Sequence, residues 1–314
     1  MIFHREYEKI TKKAGTDMKK EEKFVKDMAK LRKTNPVLFA VMLVVVAIVI
    51  IVGLVRDNGP QHGEPLDGIY VHYMDVGQGD AALIACGGEY MLIDGSTVGM
   101  GNTIVDYLRS VGVDKLDYIV CTHAHADHCG GLDKAAEAFG ADVVFVSPYP
   151  GSSATYDIFL ENLDELGIDT TVPTLGETYT LGGATFRFIG PLEDYGDANS
   201  NSLVLRLEYG SRSFLFTGDM DQDAEKDLLD SGVKLRSDVL KVGHHGSRTS
   251  SSYRFLYEVE PELAVISCGA DNRYGHPHEE AVSRLSDADA EILRTDILGN
   301  IVIFSDGIEV KRAA

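Results

Sequence analysis

The 314-residue chain has no tryptophan, nine prolines and four cysteines. The cysteines, Cys86, Cys121, Cys129 and Cys268, form no C-x-x-C pair, and a body of this length needs no disulfide scaffold. They read as small packing residues. Positive charge is scarce as well: 29 Lys/Arg face 49 Asp/Glu, a formal net charge of −20. Residues 1–36 hold 11 basic and 6 acidic residues, 37–55 hold neither, and 56–314 hold 18 basic against 43 acidic, a net of −25. A body this acidic lacks the positive footprint of a broad, sequence-blind polyanion binder. With 44% hydrophobic and 25% charged residues, disordered, collagen-like and coiled-coil readings also drop out. The length suits one large α/β domain plus an appendage, or two small domains, and no repeat at a solenoid period is present.

What the chain does have is one long apolar run, VLFAVMLVVVAIVIIVGLV at 37–55. As a helix it would span roughly 28 Å, the thickness of a bilayer's hydrocarbon core. A cleaved signal peptide is the rival reading. The 36-residue leader, the unbroken apolar length and the missing small-x-small site before Arg56 speak against it. Lys19, Lys20, Lys23, Lys26, Lys30, Arg32 and Lys33 precede the run, and residues 56–70 offer only Arg56. The positive-inside rule then predicts a single-pass anchor in the cell membrane, with the N-terminus cytoplasmic and the body extracytoplasmic. The expected organisation is a basic leader (1–36), a transmembrane helix (37–55), a Gly/Pro linker (56–67) and a globular body (68–314).

Within the body, apolar runs at Ile69–Met74, Ala81–Cys86, Tyr90–Ile93, Tyr118–Thr122, Val143–Val146, Thr185–Ile189, Leu203–Tyr209 and Ser213–Thr217 read as strands. Helical patterns at Thr103–Val111, Leu132–Phe139 and around Ile158–Leu166 lie between them, and the C-terminal stretch reads as a hairpin. Strand runs interleaved with helices indicate a layered α/β body.

Ligand chemistry concentrates at the ends of these strands. His123-Ala124-His125-Ala126-Asp127-His128 follows the strand at Tyr118, and Gly130-Gly131 then lets the backbone pass closely into a helix. Alternate residues share a face, so His123 and His125 point together, and the turn brings Asp127 and His128 round beside them. Nitrogen and carboxylate donors without thiolates suit zinc or manganese. Asp219 ends a second apolar strand; alone it reads as a turn former, but beside a metal cluster it is a carboxylate placed to bridge two cations. His244-His245-Gly246-Ser247 ends a third strand, and one imidazole can bind metal while the other faces substrate. Asp94, again at a strand end, can orient a metal-bound histidine. Gly77-Gln78-Gly79-Asp80 by itself reads as a hairpin turn, and His4, His62, His72 and His278 carry no role. Ser247, Thr249 and Ser250 read either as oxyanion donors or as capping groups for the helix after Ser252.

Together these motifs resemble the metallo-β-lactamase superfamily. Met74-Asp75-Val76-Gly77-Gln78-Gly79-Asp80-Ala81, Asn201-Ser202-Leu203-Val204-Leu205, the segment through His244-His245-Gly246-Ser247, and Tyr274-Gly275-His276-Pro277 are similar to the hydrolase domain of ComEC-type competence proteins. The resemblance implies a four-layer αββα sandwich with two divalent cations at one edge. His123, His125 and Asp219 would hold the first cation; Asp127, His128, Asp219 and His245 would hold the second. Asp94 would orient a ligand, and Asp127, His244 and His276 would act on the substrate. Many superfamily members supply a further His to the first cation, where this chain reads Asp197-Ala198-Asn199-Ser200-Asn201-Ser202. That departure weakens the first position and makes manganese an alternative to zinc.

The implied activity is hydrolysis of a phosphodiester, DNA among the candidates, by water activated between the two cations. Esterase or phosphoesterase action on envelope polymers or small esters is the alternative, as is a non-catalytic metal- or ligand-binding ectodomain. No protein partner is inferred. ComEC-type proteins usually join this domain to a many-helix channel, so a role in DNA import does not carry over with it.

Overall fold

The computed structural model describes residues 68–313 together with Thr34. The anchor expected at 37–55 and the linker at 56–67 lie outside the described residues, as does the leader apart from Thr34. Among the described residues no helix is long and apolar enough to cross a membrane.

The described strands form two sheets. The first contains β1 (Ile69–Tyr73), β2 (Ala82–Cys86), β3 (Glu89–Ile93), β4 (Tyr118–Cys121), β5 (Val143–Val146), β6 (Thr170–Thr171), β14 (Ile301–Ser305) and β15 (Val310–Arg312), in the order β15-β14-β1-β2-β3-β4-β5-β6. The second contains β7 (Tyr179–Leu181), β8 (Ala184–Gly190), β9 (Val204–Tyr209), β10 (Arg212–Phe216), β11 (Val239–Lys241), β12 (Leu263–Ile266) and β13 (Glu291–Arg294), in the order β13-β12-β11-β10-β9-β8-β7.

Strand periodicity explains the layering. Ile84, Met91, Ile93, Val120 and Phe145 of the first sheet meet Phe186, Phe188, Leu205, Leu207, Phe214 and Phe216 of the second in one inner core. Their neighbours Leu83, Leu92, Ile119, Cys121 and Val144 point the other way. There they are covered by α1 (Gly101–Ser110), α3 (Leu132–Phe139) and α4 (Ala154–Glu165). A short helix, α2 (Ala126–Cys129), lies between α1 and α3 in the chain. On the far side, α5 (Gln222–Ser231), α6 (Tyr253–Val259) and α7 (Glu279–Asp287) cover Leu215, Leu240, Ala264 and Ile266. The result is a helix–sheet–sheet–helix sandwich, the expected fold class. All four cysteines are buried and free.

Strand direction decides where chemistry can collect. β3, β4 and β5 run parallel, as do β10, β11, β12 and β13. β1 and β2 are antiparallel, and so are β9 and β10. The C-terminal ends of β1, β3, β4, β10, β11 and β12 and the N-terminal ends of β2 and β9 therefore open on one edge. Loops at such an edge are the usual place for a site in an α/β protein. Elements of two and three residues, β6 and β7, are too short for alternation to be read. α4 begins before Ile158, because Ser153 at its N-cap precedes a first turn whose polar residues hide the periodicity.

One buried titratable group lies away from that edge. His72 in β1 places Nδ1 2.9 Å from the Tyr107 hydroxyl, and burial lowers its pKa from 6.5 to about 4. The neutral ring is the form the fold favours. Its contribution is therefore present above pH 6.5 and is lost as pH falls toward 4, by about 3 kcal/mol. Urea unfolding of wild type should lose about that much more than His72→Gln between pH 7 and pH 4; equal losses would rule the linkage out.

Candidate metal centre

The β4 end places three imidazoles within a few ångströms of one another. His123 Nε2 lies 3.1 Å from His125 Nδ1, and the His123 and His128 rings are 4.1 Å apart. The turn expected after His125 is the short helix α2, which carries Asp127 and His128 round to the same side. Gly130 and Gly131 make the close pass possible. A Cβ on Gly130 would fall 2.4 Å from Val98 N, and one on Gly131 2.5 Å from Gly95 O.

Asp219, at the end of β10, is the point of convergence. Its Oδ2 lies 3.3 Å from His128 Nε2, 3.6 Å from His244 Nε2, 3.6 Å from His245 Nε2 and 3.9 Å from His123 Nε2. Asp127 Oδ2 is 3.5 Å from His245 Nε2. Asp219 Oδ1, His128 Nε2 and His245 Nε2 are buried and have no hydrogen-bond partner among the described residues. Leaving buried polar atoms unpaired costs about 1–3 kcal/mol each, and native folds rarely tolerate several together. Nitrogen and carboxylate atoms aimed at a common point are what divalent cations take as ligands, so the residues fit a dinuclear metal site.

The other ring nitrogens are occupied, which sets the direction in which each imidazole faces. His128 Nδ1 donates to Asp94 Oδ2 at 2.8 Å, and Asp94 also accepts from the Thr122 N–H and hydroxyl, each at 2.8 Å. His245 Nδ1 donates to the Ser267 carbonyl at 3.0 Å. Such partners fix the ring orientation and leave Nε2 as the nitrogen that faces the cluster. His244 and His245 both adopt left-handed backbone angles, φ 49° and φ 53°, a cost that non-glycine residues sustain mainly at functional sites. Glu225 helps hold this turn: buried, it accepts from the Ser251 and Ser252 N–H groups, while Arg284 donates to the Ser250 and Ser251 carbonyls. Ser252 itself caps α6, accepting from Phe255 N, so the capping role that the sequence suggested for Ser247, Thr249 and Ser250 belongs to a residue beyond them.

Charge in the cluster is arranged as protons awaiting replacement. Burial opposes a charge on His245, but Asp219, Asp80 and Asp127 outweigh it and carry its pKa to about 10. Burial is likewise overcome at His128, where Asp219 and Asp94 hold the pKa well above the usual imidazole value. The charges on His128 and His245 hold Asp219 well below the carboxylate range despite its burial. Protons on two imidazoles offset the surrounding carboxylates, a role that cations fill when they displace them.

Four residues at the site were not assigned from the sequence. Asp80 Oδ1 lies 3.1 Å from His245 Nδ1, and Asp80 Oδ2 is 2.7 Å from Lys241 Nζ, both residues being buried. One ligand atom each from Asp80, His128, Asp219 and His245 falls within a 4.8 Å cluster. Asp80 nevertheless stands behind His245, since Lys241 engages one of its oxygens and His245 Nδ1 faces the other. Lys241 brings Asp80's pKa to about 2 against the effect of burial. The remaining two, Asn199 and Gln78, line the cleft of about 270 Å³ that opens over the centre together with His125, Asp127, Asp219 and His276. Asn199 Oδ1 is buried without a partner. Asn199 belongs to the segment where the sequence lacks a third histidine, and no motif marks its amide as a donor. His276 packs 5.4 Å from His244, and burial together with His245 and His244 lowers its pKa to about 4.

A fold of two sheets between helix layers, with a His/Asp centre at the shared strand edge, defines a class of metal-dependent hydrolases. The profile of that class, the metallo-beta-lactamase superfamily, matches residues 74–270, and the chain belongs to it. More particularly, the chain is similar to competence proteins. It is 28% identical to ComE operon protein 3 of Bacillus subtilis (strain 168) over 74% of this chain and 32% of that protein. It is 36% identical to competence protein ComA of Neisseria gonorrhoeae over 72% of this chain and 30% of that protein. The chain thus spans about a third of the length of these relatives. Among solved structures, CmlA, a diiron beta-hydroxylase from Streptomyces venezuelae, shares the fold at TM-score 0.52 and 15% identity, over 78% of this chain and 54% of its own.

Proposed function

We propose that the protein is a membrane-anchored, extracytoplasmic dinuclear metallohydrolase that cleaves phosphodiesters. The observation that carries the reading is the convergence of four imidazole Nε2 atoms on Asp219 Oδ2, two of them, those of His128 and His245, buried and without a hydrogen-bond partner among the described residues. His123, His125 and Asp219 would hold one cation, and Asp127, His128, Asp219 and His245 the other. When bound, such a pair supplies Lewis acidity and a water nucleophile at neutral pH.

The chain's own groups do the rest. Asp94 keeps His128 Nε2 forward, and Ser267 and Asp80 do the same for His245. Lys241 neutralises Asp80, so no unpaired charge is left behind the ligand. His244, with 24% of its side chain exposed, faces the cleft beside Asp219. It protonates the leaving oxygen, with His276 next to it as the second candidate. Asn199 offers an amide oxygen in the segment that lacks a histidine. A hard donor there favours manganese at the first position while leaving zinc suited to the second.

Similarity to competence proteins supports a phosphodiester of the nucleic-acid kind. The run at 37–55 and its basic flank support the anchor and the outward-facing body. The test is turnover by the full-length protein of bis(p-nitrophenyl) phosphate and of p-nitrophenyl acetate, with zinc or manganese. Diester cleavage that EDTA abolishes is expected. Hydrolysis of the carboxyl ester alone would replace this reading with an ester hydrolase.

A further inference from the structure

Beside the metal cleft lies a second cavity of about 370 Å³, bounded in part by Arg273 and Asn272. The two cavities share Gln78, Ala126, Asp127 and Tyr274. A ligand whose reacting group sits over Asp219 can therefore extend into the second cavity without leaving the protein surface. The volume falls within the range of about 300–1,000 Å³ typical of small-molecule sites.

Gln78 stands at the seam. Its Oε1 accepts from the Gly269 N–H at 3.2 Å, which fixes the amide orientation, and the residue lines both cavities. Nε2 is buried and has no hydrogen-bond partner among the described residues. Glycine at 269 makes this grip possible, since a Cβ there would fall 2.7 Å from Gln78 N. A buried donor left unpaired between two cavities calls for an acceptor brought by the ligand.

The outer wall is a layered stack. The Tyr274 ring lies parallel to His276 with centroids 5.6 Å apart, and the Arg273 guanidinium sits 4.9 Å from the Tyr274 centroid. Asn272 pins the loop that carries them. Its amide donates to the Gly269 and His276 carbonyls and accepts from the Tyr274 and His276 N–H groups. The platform is therefore held in place before any ligand arrives. It offers a planar, cationic face in an otherwise acidic body.

We propose that this second cavity binds an unpaired nucleobase next to the phosphodiester positioned at the metal centre. The Arg273 guanidinium, backed by the Tyr274 ring, forms the stacking surface, and Gln78 Nε2 donates to an oxygen of the joining phosphate. The proposal rests on the phosphodiesterase reading. It specifies a single strand or frayed end, because a base inside a duplex has both faces covered by its neighbours. With one guanidinium at the wall, few counterions are displaced, so the salt dependence of binding is shallow.

Fluorescence anisotropy on the full-length protein with manganese tests it, using a phosphorothioate single strand of six nucleotides, the same strand with abasic residues, and the blunt duplex. The base-bearing strand should bind at least about 10-fold more tightly than the abasic one, within the roughly 5–150-fold that stacking on an aromatic provides. Tyr274→Ala should remove that preference and Tyr274→Phe should keep it. Gln78→Ala should weaken base-bearing and abasic strands alike. Equal affinity for base-bearing and abasic strands, or tighter binding of the duplex, overturns the proposal. Bis(p-nitrophenyl) phosphate, which has no base, separates the two readings. Turnover of that diester without a base preference in binding removes the base site alone. A base preference without turnover supports the base site and removes the hydrolase.

Discussion

Asp219→Asn should strip the protein of both cations. One oxygen of this side chain lies within 3.3–3.9 Å of four imidazole Nε2 atoms, so no other residue serves both proposed positions. The change is isosteric but removes the charge that holds His128 and the other imidazoles together. It also leaves Asp80, Asp94 and Asp127 to balance them from behind or from one side. Losing an orienting partner of a ligand typically costs 10–100-fold in metal affinity, and losing a shared ligand should exceed that, by more than about 100-fold here. Metal content after dialysis should fall from two per chain to below one, with diester cleavage lost in parallel. Retention of both metals by this variant would mean that Asp219 is not the bridge.

His244→Ala should separate chemistry from metal binding. His245 is buried, with Nδ1 held by a carbonyl, the arrangement of a ligand; His244 is partly exposed, and its Nδ1 reaches only Thr249 Oγ1 at 3.5 Å. Burial lowers the His244 pKa, so the imidazolium, the form that gives its proton to the leaving oxygen, is a stronger acid and the minority form at neutral pH, and the acid-dependent rate should fall as pH rises. Removing a general acid typically costs about 10²–10⁴-fold. The variant should keep both metals and lose on the order of 10²-fold or more on diesters with alkoxide leaving groups. On bis(p-nitrophenyl) phosphate, whose leaving group needs little protonation, the loss should be far smaller. Equal losses on the two substrate types would remove the acid role, and missing metal would make His244 a ligand.

The centre was legible in the sequence wherever a side chain's position follows from its own strand. His123, His125, Asp94, Asp219 and the pair His244-His245 all sit just past an apolar run, and parallel strands bring such positions to one edge. The helices α1 and α3 and the strands with clear alternation follow from the same local physics. Partnerships between distant segments were not legible. Lys241 reads as a stray charge in an apolar strand until Asp80, from a turn that looks like an ordinary hairpin, is found 2.7 Å away. Gln78 lies inside a motif of the resemblance and Asn199 beside one, but the motifs give neither amide a role; what marks each is a buried atom without a partner among the described residues. Glu225 was one acidic residue among many on α5 until the loop behind His245 closed over it. The chain thus encodes its candidate ligands locally and the groups that aim them non-locally.

The central claim is that two cations, held by this one cluster, perform the hydrolysis. Titrating the metal-free full-length protein with manganese while following bis(p-nitrophenyl) phosphate cleavage and bound metal together tests it most directly. The rate should rise to a plateau at two bound metals per chain, with no cleavage in their absence. Full activity at zero metals, or a plateau at one with the second cation never binding, would contradict it.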